Sequence, residues 1–124
     1  MLERLRARGH VLAVATGKGR AGLARALGTT GLHAVFSATR CADECNPKPA
    51  PDMLLEIMEE LSVDSNHTLV IGDTVHDLRM AAHAGVRAIG VSYGAHSKSD
   101  LMALAPLACV DSTFELSQWL VENA

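Results

Sequence analysis

Aromatic residues are nearly missing from this chain: one Trp, one Tyr and two Phe among 124 residues, or 3%. A core must then come from Leu, Val, Ile, Ala and Met, and a hydrophobic content of 48% supplies them. Excess positive charge is missing too. Eleven Lys and Arg stand against 14 Asp and Glu, a formal charge of −3, which argues against a nucleic-acid surface driven by net positive charge. No apolar run approaches the length of a bilayer span, and Met1-Leu2-Glu3-Arg4-Leu5-Arg6 lacks a signal-peptide apolar region. The expectation is a cytoplasmic protein with no membrane partner. Cysteine is sparse: Cys41, Cys45 and Cys109, an odd count that fits reduced thiols. Cys41-x-x-x-Cys45 lacks the second ligand pair of a zinc site. Runs of like charge, Pro- or Ser-rich linkers and internal repeats are also lacking, and the length suggests one domain over residues 1–124.

What is present is organised around Leu69-Val70-Ile71-Gly72-Asp73-Thr74-Val75-His76-Asp77. A short β-branched run stopped by Gly reads as a buried parallel strand. Small-residue helical sequence follows as far as Gly85, completing a strand–turn–helix unit. Ligands in open α/β sheets bind at the carboxyl ends of strands, where Asp73 stands. Asp77 lies one helical turn further and can face the same point. Two converging carboxylates suit a hard cation such as Mg²⁺. Asp is equally common at turns and caps, so Asp73 as a strand stop and Asp77 as a helix cap is an even alternative.

The rest of the chain alternates in the same way. Residues 1–8 read as a helix stopped at Gly9, and Val11–Ala15 as a buried strand ending in Thr16-Gly17-Lys18-Gly19. Residues 20–27 read as a helix closed by Gly28, and Val35-Phe36-Ser37 as a short strand. Residues 39–50 look irregular, with Pro47, Pro49 and Pro51 holding Lys48 on a stiff extended segment. Pro51 opens a helix whose apolar stripe is Leu54, Ile57, Met58 and Leu61. Ala88–Ser92 is a further buried strand. Ser97-Lys98-Ser99-Asp100 caps a short helix stopped by Pro106. Cys109-Val110 is an edge strand, and Ser112-Thr113-Phe114-Glu115 caps a last helix with Leu116, Trp119 and Leu120 on one face. Alternation of strand and helix predicts an α/β fold with a parallel sheet covered by helices.

Three strand-end signals stand in chain order: Thr16-Gly17, Lys48, and Asp73 with Asp77. Thr16 offers a hydroxyl donor, and Gly17 lets backbone N–H groups approach an anion closely. Lys48 adds a compact positive charge. Singly, each is as well read as an ordinary strand terminus or a solvated loop charge. Jointly they describe a phosphate cradle with a metal beside it.

Ala15-Thr16-Gly17, Lys48-Pro49-x-Pro51 and Gly72-Asp73-Thr74-x-x-Asp77 resemble motifs two, three and four of the haloacid dehalogenase (HAD) superfamily, and Asp77-x-x-x-Ala81-x-x-Ala84-Gly85-Val86 strengthens the likeness. The nearest flavour is that of phosphoglycolate-phosphatase-like members. The resemblance implies a Rossmann-like, three-layer fold with a parallel sheet and helices on both faces. It also implies a Mg²⁺-dependent phosphatase that acts on a small phosphorylated metabolite through an aspartyl-phosphate. In that reading Thr16 and Gly17 bind the phosphoryl group, Lys48 stabilises its charge, and Asp73 and Asp77 hold the metal.

One family feature is not found. The first motif, Asp-x-Asp-Gly-Thr, supplies the nucleophile and the general acid/base, and no Asp-x-Asp occurs in this sequence. Asp43-Glu44 sits in the wrong context to replace it. The resemblance thus implies the C-terminal part of a HAD-like core, without the family's first central strand and cap, and inactive alone. That strand would lie between Val11–Ala15 and Leu69–Ile71, so its loss leaves two apolar edges. Three arrangements are expected: the two strands pair directly, a second copy completes the sheet as a homodimer, or a missing N-terminal segment does so. The competing reading is a non-enzymatic homologue serving as a binding or dimerisation module. A receiver-like domain fits less well, because its first strand should end in an acidic pair and here it ends in Thr16-Gly17.

Overall fold

The computed structural model describes every residue from Met1 to Ala124. The chain divides into two compact units, Met1–Val63 and Asp64–Ala124.

The first unit begins with α1 (Leu2–Ala7), ended by Gly9 at φ 92°. β1 (Ala13–Thr16) follows. It starts two residues later and ends one residue later than the predicted Val11–Ala15, and it is not fully buried. Val11 lies outside it and is 55% exposed. β1 pairs only with β2 (Ala38–Cys41), in parallel register from Ala13↔Ala38 to Thr16↔Cys41, so this sheet covers just one of its edges. α2 (Arg20–Thr30) runs through Gly28, where a stop was expected, and closes at Gly31. Gly31 takes φ 71°, the left-handed geometry of a helix C-cap, which Gly28 does not adopt. The strand expected at Val35–Ser37 is displaced: His33–Val35 form a 3₁₀ turn and pairing starts at Ala38. Lys48 is not on an extended segment either. Ala50 N–H bonds to the Pro47 carbonyl at 3.1 Å and closes a turn, with the Lys48–Pro49 peptide bond cis. α3 (Asp52–Leu61) starts directly after Pro51 and buries Met53, Leu54, Ile57 and Met58 against β2. Removing any one of these from water contributes about 1.5–3 kcal/mol.

In the second unit β3 (Leu69–Gly72), β4 (Arg87–Val91) and β5 (Ala108–Val110) form a parallel sheet in that order. The registers are Leu69↔Arg87 to Gly72↔Gly90 and Ile89↔Ala108 to Val91↔Val110. Central β4 is the buried one, from Ala88 to Val91 with Ile89 wholly enclosed. β3 is an edge of its sheet, and Ile71 is 42% exposed, against the expectation of a buried strand. Neither sheet joins β1 to β3. α4 (Val75–His83) covers β3 and β4 with Leu78, Met80 and Ala81. α5 (Lys98–Met102) and α6 (Thr113–Asn123) carry the caps read from the sequence: Ser97 accepts from Asp100 N–H and Ser112 from Glu115 N–H. Leu116 and Leu120 of α6 are buried and Trp119 is half-buried. No helix is long and apolar enough to cross a membrane.

Candidate functional site

Asp73 and Asp77 stand where β3 runs into α4. Thr74 is the N-cap, and it forms a reciprocal capping box with Asp77. Asp77 N–H donates to Thr74 Oγ1 at 3.2 Å, and Asp77 Oδ2 accepts both Thr74 N–H at 3.1 Å and the Thr74 hydroxyl at 2.9 Å. The Asp77 side chain is buried, with the residue only 6% exposed. A carboxylate in the first turn also meets the positive end of the helix dipole. The predicted cap role of Asp77 is therefore real, and the capping box gives its buried carboxylate hydrogen-bond partners.

Capping does not explain Asp73. It precedes the N-cap, is half-buried, and is met by another loop. Ala95 N–H donates to Asp73 Oδ2 at 3.1 Å, and His96 N–H donates to the Asp73 carbonyl at 3.1 Å. Two glycines make room. A Cβ at Gly72 would fall within 2.8 Å of Asp77 Oδ2, and one at Gly94 within 2.7 Å of Asp73 Cγ. The two fixed carboxylates are hard oxygen donors, the chemistry Mg²⁺ takes.

In the first unit Thr16 closes β1. Its Oγ1 accepts Lys18 N–H at 3.1 Å, which leaves the hydroxyl proton for another acceptor. Gly17 is exposed, and a Cβ there would meet nothing within 4 Å. The chain's own packing therefore does not require glycine at 17, whereas close approach of an anion would. Lys48 is half-buried in the 47–51 turn.

Sequence reasoning missed what holds these loops. Arg20 opens α2 and binds Glu44 through Nε at 3.1 Å and a second nitrogen at 2.6 Å, with a third reaching Thr39 Oγ1 at 2.7 Å. Its N–H donates to Asp43 at 3.1 and 3.2 Å, and Glu44 also accepts Cys41 N–H at 2.9 Å. Lys18 O accepts Ala42 N–H at 3.0 Å, tying the loop after β1 to the loop after β2. The Arg20 guanidinium holds the Glu44 carboxyl below the usual carboxylate range. Cys41, Asp43 and Glu44 do bring ligand atoms within 4.8 Å of one another. Both carboxylates are committed to Arg20, and burial pushes the Cys41 thiol up, away from the thiolate a metal needs. This group is a loop anchor.

A family model for haloacid dehalogenase-like hydrolases matches residues 1–91. The protein named "Probable phosphatase IndB" in Dickeya dadantii is 41% identical over 116 residues, 93% of this chain and 50% of that protein. Phosphoglycolate phosphatase of Psychrobacter arcticus is 30% identical over 122 residues, 98% of this chain and 53% of that one. The crystal structure of a predicted phosphatase from Clostridium acetobutylicum superposes with a TM-score of 0.88 at 28% identity, covering 98% of this chain and 56% of that one. The chain spans about half the length of the curated relatives it matches. Its parallel α/β fold is that of these Rossmann-like hydrolases. The chain belongs to the haloacid dehalogenase-like hydrolases and within them is similar to phosphoglycolate phosphatases.

Proposed function

We propose that residues 1–124 carry the phosphate- and metal-binding groups of a Mg²⁺-dependent phosphatase for a small phosphorylated metabolite, as part of one HAD-like core, and do not turn substrate over by themselves. Asp73 carries the reading. Its carboxylate is fixed just beyond the end of β3 by Ala95 N–H, outside the capping box of α4. Asp73 and Asp77 would hold the cation, which when bound neutralises charge on phosphoryl oxygens. In the first unit the Thr16 hydroxyl proton and the Gly17 N–H offer donors to phosphate oxygens, and Lys48 adds a point charge. The phosphoryl group needs an attacking carboxylate, and no Asp-x-Asp occurs in the sequence. Asp43 and Glu44, which follow β2, are bound to Arg20 and cannot attack.

The test is hydrolysis of p-nitrophenyl phosphate in Mg²⁺. No turnover above buffer is expected. Robust turnover that Asp73→Asn abolishes would overturn the claim of an inert chain while supporting the metal role of Asp73.

The open edges of β1 and β3 support a second reading, a pairing module completed by a second copy or by another segment. Light scattering decides this one. A dimer supports completion by a second copy, and a stable monomer removes it.

A further inference from the structure

We propose that Gly94-Ala95-His96, the loop after β4, is a clamp whose task is to fix the Asp73 carboxylate for a divalent cation, with His96 as its positioning residue. The proposal rests on the reading of Asp73 as a metal ligand and adds residues that no part of that reading supplies. Three hydrogen bonds define the clamp. Ala95 N–H holds Asp73 Oδ2 at 3.1 Å, His96 N–H holds the Asp73 carbonyl at 3.1 Å, and His96 Nδ1 accepts Val75 N–H at 3.0 Å. The loop thus grips the chain on both sides of Thr74, through residue 73 and residue 75.

The third bond assigns a tautomer. Nδ1 accepts, so a neutral His96 carries its proton on Nε2. Val75 N–H is an orphan donor of the first turn of α4, and an imidazole from a distant loop satisfies it. The His76 ring packs edge-on against His96, with centroids 5.8 Å apart. Gly94 completes the clamp by lacking a side chain, since a Cβ there would overlap Asp73.

The energetic logic is that of outer-sphere support. A carboxylate with one oxygen fixed by a backbone N–H loses less freedom on binding a cation, and loss of such support typically costs about 10–100-fold in metal affinity. Asp73 Oδ2 takes the backbone bond, which limits the orientations the carboxylate would sample when it binds a cation.

The experiment uses the full chain and two readouts: Mg²⁺ affinity from amide shifts of residues 72–77, and amide hydrogen exchange without metal. His96→Ala is expected to weaken Mg²⁺ binding about tenfold. It should also speed exchange at Val75 and Ala95 while leaving the amides of β4 and α6 protected. His96→Asn, which keeps a side-chain acceptor, should recover part of both effects. Gly94→Ala should weaken Mg²⁺ binding by displacing Asp73. Unchanged affinity and unchanged exchange in His96→Ala would overturn the clamp, as would equal losses in His96→Ala and His96→Asn. If the parent chain shows no Mg²⁺ shifts at 72–77, the ligand reading of Asp73 fails. The metal task of the clamp falls with it, and exchange then decides only the loop's hold on residues 73 and 75: protection at Val75 and Ala95 that His96→Ala releases upholds that hold, and lack of protection overturns it too.

Discussion

The loops after β1 and β2 and the loop after β3 are held by different physics. Around Thr16 the framework is a surface ion pair: Arg20 and Glu44 are 44% and 36% exposed, joined at 2.6 Å, with Asp43 on the helix N-terminus. Around Asp73 and Asp77 the framework is backbone N–H groups, a buried capping box and two glycines. Exposed ion pairs contribute little and weaken as salt rises. Backbone donors and close packing ignore salt but tolerate no added atoms. The second unit should therefore hold its carboxylates under conditions that loosen the loops of the first.

The largest break in that comparison is Gly72→Ala. Its Cβ has no room beside the Asp77 carboxylate, so overpacking should cost about 1–3 kcal/mol and the capping box should open. Urea denaturation measures the cost, and a variant as stable as the parent would show that α4 shifts freely. Next is Thr74→Ala, which removes the N-cap and a donor to a buried carboxylate. About 1–2 kcal/mol is expected, at low and at high salt alike. Smaller still is Arg20→Gln, whose effect should fade as salt rises, read as the difference in Tm between low and high ionic strength.

The smallest effect is a pH dependence. The Glu44 carboxyl is held below its usual range by the hydrogen bond from Arg20. A depressed folded value means that its stabilisation is complete above the ordinary carboxylate range. It is lost as pH falls through that range to the folded value. Arg20→Gln should flatten this acid limb of Tm against pH. The Asp111 carboxyl, lowered by Ser92 and then Lys98, should leave its own acid limb unchanged in that variant.

The sequence made the helix caps and the alternation legible because these are local. Ser97, Ser112 and Gly9 act where their side chains or conformations sit, and each does what its type predicts. Strand burial was legible at β4, where Ala88–Val91 are buried as their apolar run predicts, but not at β1 and β3. Val11–Ala15 and Leu69–Ile71 read as buried because they are apolar, yet burial depends on how many neighbours a sheet provides, and each strand is an edge of its sheet. Gly28 reads as a stop because glycine favours C-caps, but a cap needs the left-handed geometry that Gly31 adopts three residues later. At the site, Asp73 and Asp77 were visible as a pair at helical spacing. Their supports were not, because Ala95 and His96 act through a backbone N–H and a ring nitrogen 21–22 residues away in sequence. Arg20 and Glu44 were hidden for the same reason, being 24 residues apart.

The most direct test of the central claim is site-resolved relaxation by Mn²⁺, added in trace amounts to the labelled chain and to Asp73→Asn. The account predicts that amides of residues 72–77 and 94–96 broaden first in the parent and that this broadening disappears in the variant. Broadening centred on residues 41–44, or unchanged at 72–77 in Asp73→Asn, would contradict it.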